Sequence, residues 1–143
     1  MTAHEFYIKI KSLELQELKE LAVIENKDDL IKLNQLQLHF GRTDKDQNIE
    51  PKYSDLYLKR KMRMPSYIAE IGVPDLYVTG AFYGGMDIIV ENGEYFIISW
   101  DDKSRFLTER YVDILGLNDE SIQKGQVIVT KTFVNLISEK LNN

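Results

Sequence analysis

Asp44, Asp46 and Asn48, in the run Asp-Lys-Asp-Gln-Asn, are the first residues whose spacing suggests chemistry. Side-chain oxygens at alternate positions are how a calcium loop begins to wrap its ion. Ile49 then stands where such a loop needs glycine for its sharp turn, and Asp55 where it needs a bidentate glutamate. An Asx-rich surface turn explains the same residues, because Asp and Asn side chains satisfy turn backbones themselves. Asp101 and Asp102, directly after Trp100, form a second candidate, a carboxylate pair for hydrolysis. Neighbours at a strand end diverge in direction, and no second acid stands at a defined spacing. Capping of a helix that opens at Lys103-Ser104 is therefore the expected role. His39 is expected as a surface or half-buried residue near a helix C-terminus, where a cationic imidazole is favourable.

Nucleophilic and metal chemistry find little else to use. The chain has no cysteine and only two histidines, His4 and His39, which excludes thiolate nucleophiles and leaves most zinc and Ser-His sites without ligands. No nucleophile elbow, phosphate-cradling glycine loop or His-Glu-x-x-His is present. The expectation is a non-enzymatic protein with no cofactor and no metal.

One cluster points to binding rather than catalysis. Lys59, Arg60, Lys61 and Arg63 lie within five residues, with Lys52, Tyr53, Tyr57 and Leu58 just before them. Such a patch could be a solvated loop face, or could meet DNA phosphates or an acidic protein face in a salt-dependent way. Tyr53, Tyr57 and Leu58 would be its apolar anchors, and the four cations its charged contacts. A net charge of −5 means that any attraction to nucleic acid must be local to this patch.

The elements that carry these residues follow from periodicity. A length of 143 residues suits a single domain, and 43% hydrophobic against 29% charged residues supports a core. No apolar run is long enough for a membrane-spanning helix and the N-terminus lacks the layout of a secretion signal, so a soluble protein made in the cytoplasm is expected. Residues 1–41 read as helical: Thr2 and Glu5 have capping-box spacing, a second amphipathic stretch carries Leu13, Leu18, Leu21 and Ala22 on one face to about Ile24, and a third places Leu30, Leu33, Phe40 and either Leu36 or Gln37 together before Gly41. Residues 42–75, punctuated by Pro51, Pro65 and Pro74, read as a long extended loop with one or two helical turns around residues 54–62. In residues 76–100 the period becomes two: runs at 82–90 and 94–100 flank Asn92-Gly93, a hairpin signal, and Gly84-Gly85 reads as a bulge. Residues 103–143 return to helix, with Asn118 as an N-cap and Ile122, Val129, Phe133, Leu136 and Leu141 as a stripe. The fold class is α+β, a small antiparallel β-sheet with a central hairpin packed against N-terminal and C-terminal helices.

The order of short motifs adds a family resemblance. Asn34-Gln35-Leu36-Gln37-Leu38 precedes Gly41-Arg42-Thr43-Asp44, then Pro51 with Tyr53-Ser54 and the lysine-rich segment, then Leu76-Tyr77-Val78-Thr79-Gly80-Ala81-Phe82, the hairpin, and Gly116-Leu117-Asn118-Asp119-Glu120 opening the last helix. This succession, over about residues 30 to 141, resembles the tail-completion and virion-morphogenesis (head-tail neck) proteins of tailed bacteriophages. The best single word is Leu-x-x-Thr-Gly at residues 76–80. Gln47-Asn48 and Gly85-Met86 depart from the pattern, where the family often has Gly-Trp and Ser-Ile.

The resemblance implies a structural virion protein, assembled in the cytoplasm of a bacterial host as a homo-oligomeric ring that joins head and tail. Its partners would be the portal or connector ring and tail proteins, with possible contact with packaged DNA and no membrane. Sixfold or twelvefold symmetry would follow from the family. The alternative from the residues themselves is a small nucleic-acid-binding or regulatory protein using the basic patch. In either case residues 53–64 are expected to be protease-sensitive in the free chain and ordered on assembly, with reversal of Arg60 and Lys61 to glutamate leaving folding nearly unchanged.

Overall fold

The structure, a computed structural model, describes residues 1–142. Among the described residues there are seven helices and one two-stranded antiparallel sheet: α1 (Ala3–Ser12), α2 (Leu15–Glu25), α3 (Lys27–His39), α4 (Asp55–Lys61), α5 (Ala81–Gly84), β1 (Met86–Glu91), β2 (Glu94–Ser99), α6 (Ser104–Arg110) and α7 (Asp119–Asn142). The fold is α+β, with a hairpin packed among N-terminal and C-terminal helices.

Local chemistry accounts for the element ends. Thr2 and Glu5 make a complete capping box: the Glu5 amide donates to the Thr2 hydroxyl at 3.1 Å, and the Thr2 amide to the Glu5 carboxylate at 2.8 Å. At the other end of the chain the Ser121 amide donates to Asn118 Oδ1 at 3.0 Å, so Asn118 caps α7. Asn92 and Gly93 both have positive φ, 53° and 78°, the geometry of a two-residue turn matched to strand twist. Met86 then pairs with Ser99, and Glu91 with Glu94.

The hairpin's first strand starts four residues later than its alternating pattern suggests. Residues 81–84 form the helical turn α5, launched by Gly80 at φ 86°. Gly84-Gly85 is the end of that turn and not a bulge. Gly85 is required by proximity: a Cβ there would stand 2.8 Å from the Asp101 amide nitrogen, and the Gly85 carbonyl accepts from the Trp100 amide.

Helix α7 runs antiparallel to α3 and then along α2. The contact is close because Gly125 faces Leu30, where a Cβ would come within 2.9 Å of Leu30 Cδ2. Further along, Asn26 Nδ2, at the α2–α3 corner, donates to the Thr132 hydroxyl at 2.8 Å, and Lys9 Nζ of α1 reaches the Leu141 carbonyl at 2.9 Å. On α2 the buried residues are Leu18, Ala22 and Val23, whereas Leu21 is exposed, contrary to the expected leucine face. On α3 the ambiguity between Leu36 and Gln37 resolves to Gln37, and Phe40 is exposed. Gln37 goes inside because its carboxamide serves the chain that leads into α7: Nε2 donates to the Gly116 carbonyl at 2.9 Å and Oε1 accepts from the Asn118 amide at 2.9 Å. Asn34 does the same one turn away, donating to the Ile114 carbonyl and accepting from the Gly116 amide.

Residues 42–75 are not an extended excursion. They wrap the core, to which they give Ile49 and Val73, both almost fully buried beside Leu38 and Ile114. Each such aliphatic side chain contributes roughly 1.5–3 kcal/mol when taken from water. The wrap is held by the Gly41–Ile49 and Tyr53–Gly72 backbone hydrogen bonds. The calcium-like residues are absorbed into this structure. Arg42 bonds to the Asp46 carboxylate and carbonyl and to Asn48 Oδ1, and Asn48 also reaches Glu70. Asp44 lies against Gly116 and near Asp113, and burial followed by that second carboxylate holds its carboxyl above the ordinary range.

Candidate partner-binding site

Helix α4 carries most of the basic cluster. Ser54 caps it, its hydroxyl accepting from the Tyr57 amide, and Pro65 follows its end. Seven residues make two turns, so Lys59, Arg60 and Lys61 separate onto different faces, and Arg63 lies two residues beyond the helix end. Lys59, Arg60 and Arg63 are exposed, and Leu58 and Tyr57 are half-buried. Lys61 is not on the surface at all: it is 1% exposed.

Its ammonium group lies 2.8 Å from Asp75 Oδ1, and Asp75 is itself fully buried. Lys61 Nζ also donates to the Tyr77 carbonyl and lies over the rings of Tyr53 and Tyr67, 6.0 and 5.5 Å from their centroids. Such a group belongs inside only with partners of this kind, because an unpaired buried charge is very costly. Lys61 therefore cannot meet an outside protein face or DNA as expected, and its reversal to glutamate would place two carboxylates together in the interior.

Tyr53 completes the cluster. Its hydroxyl donates to Asp75 Oδ1 at 3.0 Å and accepts from the amides of Asp75 and Leu76 at 3.2 and 3.0 Å. Burial, and then the Asp75 carboxylate, raise its pKa far above that of an ordinary phenol. Tyr83 donates to the Asp75 carbonyl at 2.5 Å and is raised by the same two causes. Tyr67 closes the loop on itself, donating toward the Glu70 and Val73 carbonyls and accepting from the Gly72 amide. The expected protease-sensitive segment is thus fastened to the core at Tyr53 and Lys61.

His39 packs edge-on against Tyr83, with ring centroids 4.7 Å apart, and tilted against Tyr77 at 5.3 Å. Desolvation outweighs the attraction of Asp75 and lowers its pKa. His39 is thus half-buried near the helix end, as expected, but its partial burial against Tyr77 and Tyr83 makes the cationic form less favourable than the helix C-terminus alone would.

The outer side of this cluster opens into a cleft of about 430 Å³ between α4, residues 76–82 and α6. Its floor is aromatic and aliphatic, with Tyr57, Val78, Phe106 and Tyr111, and Lys52, Lys103 and Arg110 stand on its walls. Phe106 and Val78 are 63% and 55% exposed, so apolar surface faces solvent here. Asp101 is the acidic residue of the lining, and its carboxylate accepts from the Lys103 amide at 3.3 Å, a turn-closing role. Asp102 is exposed beside it, and Trp100 donates to Asp87 and not to either. The cleft can hold apolar side chains with negative charge at the edge.

Sequence reasoning found Tyr53, Tyr57 and the cations of α4 but missed Asp75, Phe106, Lys103 and Arg110. Phe106, Lys103 and Arg110 have helical spacing, 103–106–110, which was a usable signal. Asp75 had none, since one acid after a proline reads as a turn residue. Comparison with family models, curated proteins and solved structures finds no match to this chain.

Proposed function

We propose that the protein is a structural subunit of a tailed-phage virion, a head-tail neck or tail-completion protein that works as one member of a ring. The observation that carries this reading is the apolar surface that a single copy leaves uncovered. Helix α1 buries none of its residues and exposes Phe6, Tyr7 and Ile8, while α7 exposes Val127 and Val134, at 72% and 52%. Exposed apolar side chains on both terminal helices are surface that a protein–protein contact would cover. The ordered succession of short motifs supplies the virion context, and the exposed Lys59 and Arg60 of α4, with Arg63 two residues beyond its end, supply positive charge toward an acidic ring or packaged DNA.

The test is genetic. A nonsense codon early in the reading frame should yield filled heads and tails that fail to join, seen by electron microscopy, and the purified chain should enter the particle at the junction. Normal virions from the mutant would overturn the reading. A second reading, nucleic-acid binding through Lys59, Arg60 and Arg63, is favoured by the exposure of all three on α4 and the turn that follows it. It requires affinity for DNA that falls steeply with salt.

A further inference from the structure

The cleft between α4 and α6 has a complement elsewhere on the same chain. Glu17, Leu21 and Ile24 are all exposed, and their spacing of four and three residues puts them on one stripe along α2. Leu21 and Ile24 are 42% and 47% exposed on a helix whose opposite side is buried against α7. The stripe is therefore two apolar side chains with a carboxylate at one end, about 10 Å from end to end. The cleft has the inverse pattern, apolar surface at Val78 and Phe106 with cations at Lys52, Lys103 and Arg110.

We propose that this cleft receives the α2 stripe of a second copy of the chain, Leu21 and Ile24 entering against Val78 and Phe106 while Glu17 meets the cations of the walls. The proposal deepens the ring reading and rests on it. The two surfaces belong to different elements, so every copy offers both, and a contact between unlike patches repeats head to tail until the rotation closes a ring. Charge complementarity sets the register, because a shifted stripe would place a carboxylate on the aromatic floor.

The absence of native cysteine makes a direct test possible. Leu21→Cys and Phe106→Cys variants, mixed at high concentration and oxidised, should form a 21–106 disulfide between copies, since bridging needs Cα atoms within about 7 Å. A Glu94→Cys variant at the hairpin serves as the comparison, and mass spectrometry identifies the joined peptides. In a second arm, Glu17→Lys, or Lys103→Glu with Arg110→Glu, should each weaken self-association about tenfold or more, and a mixture of the two variants should restore it. The proposal is overturned if the 21–106 yield is no higher than the 94–106 yield, or if the mixed variants fail to restore association. Loss of particle incorporation in the cleft variant that no α2 variant repairs would likewise overturn it, and would assign the cleft to another subunit's acids or to DNA. A chain absent from particles that still forms the 21–106 bridge would sink the virion reading and leave this contact standing.

Discussion

Lys61 Nζ and Asp75 Oδ1 meet 2.8 Å apart in the interior, at side-chain exposures of 1% and 0%. A cation at the centre of a basic sequence cluster thus belongs to the core, and only its neighbours on α4 face outward. The pair joins α4 to the irregular segment at residues 73–77, and Tyr53 bonds to the same carboxylate oxygen.

Removing one member of that pair should be severe. Lys61→Met keeps most of the side-chain volume but leaves Asp75 buried without its cation, and should cost about 3–5 kcal/mol in urea unfolding. Arg60→Glu, on the exposed side of the same helix, should change stability by at most about 1 kcal/mol. Equal effects from the two substitutions would contradict the placement of Lys61.

Tyr53→Phe isolates the phenol. The ring and its edge contact with Tyr57, at 4.7 Å between centroids, would remain, while the Asp75 and Leu76 amides would lose their acceptor. A loss of roughly 2–4 kcal/mol is expected, set by the cost of leaving buried groups unpaired. Faster hydrogen exchange at the amides of residues 75 and 76 would report the same event locally.

Stability should depend on pH through His39. Its folded pKa lies below its ordinary value near 6.5, so between those two values the unfolded chain binds a proton that the native chain refuses. Stability should therefore fall as pH drops through 6.5 and stop falling from this source below the lowered folded value. The groups that face the ring are Tyr77, Tyr83, Asp75 and Lys61. Thermal unfolding of His39→Phe from pH 8 to pH 5 should show a flatter slope than the parent protein; an unchanged slope would assign the dependence elsewhere.

Asn34→Ala and Gln37→Ala test the junction before α7. Each removes one donor and one acceptor from backbone groups at residues 114–118, and each should cost about 2 kcal/mol or more. Leu36→Ala, one residue from Gln37 but exposed, should be nearly neutral. Urea titration of the three variants decides the comparison.

Features written in neighbouring residues were legible in the sequence. The Thr2–Glu5 capping box, the Asn118 cap and the Asn92-Gly93 turn all depend on a side chain meeting a backbone within a few positions, and the α+β class followed from them. What was not legible depends on contacts across long separations. Lys61 and Asp75 are fourteen positions apart and pair only because residues 42–75 fold back, whereas composition made that stretch look like a loop. Residues 82–85 alternate acceptably for a strand, but the close approach of Gly85 to residue 101 bends them into a turn. The cleft was half legible: α4 was found through its charges, and its opposite wall on α6 was not.

The two carboxamides of α3 set more than the start of α7. A helix of 24 residues is about 36 Å long, so one degree of tilt at its first turn displaces its far end by about 0.6 Å. Asn34 and Gln37 thereby act as the pivot of a long lever, with Asn26 and Lys9 as stops along its length. In a closed assembly the angle between successive copies has to be accurate to a few degrees. A tolerance that fine would be held, in this chain, by amide side chains buried in its own core.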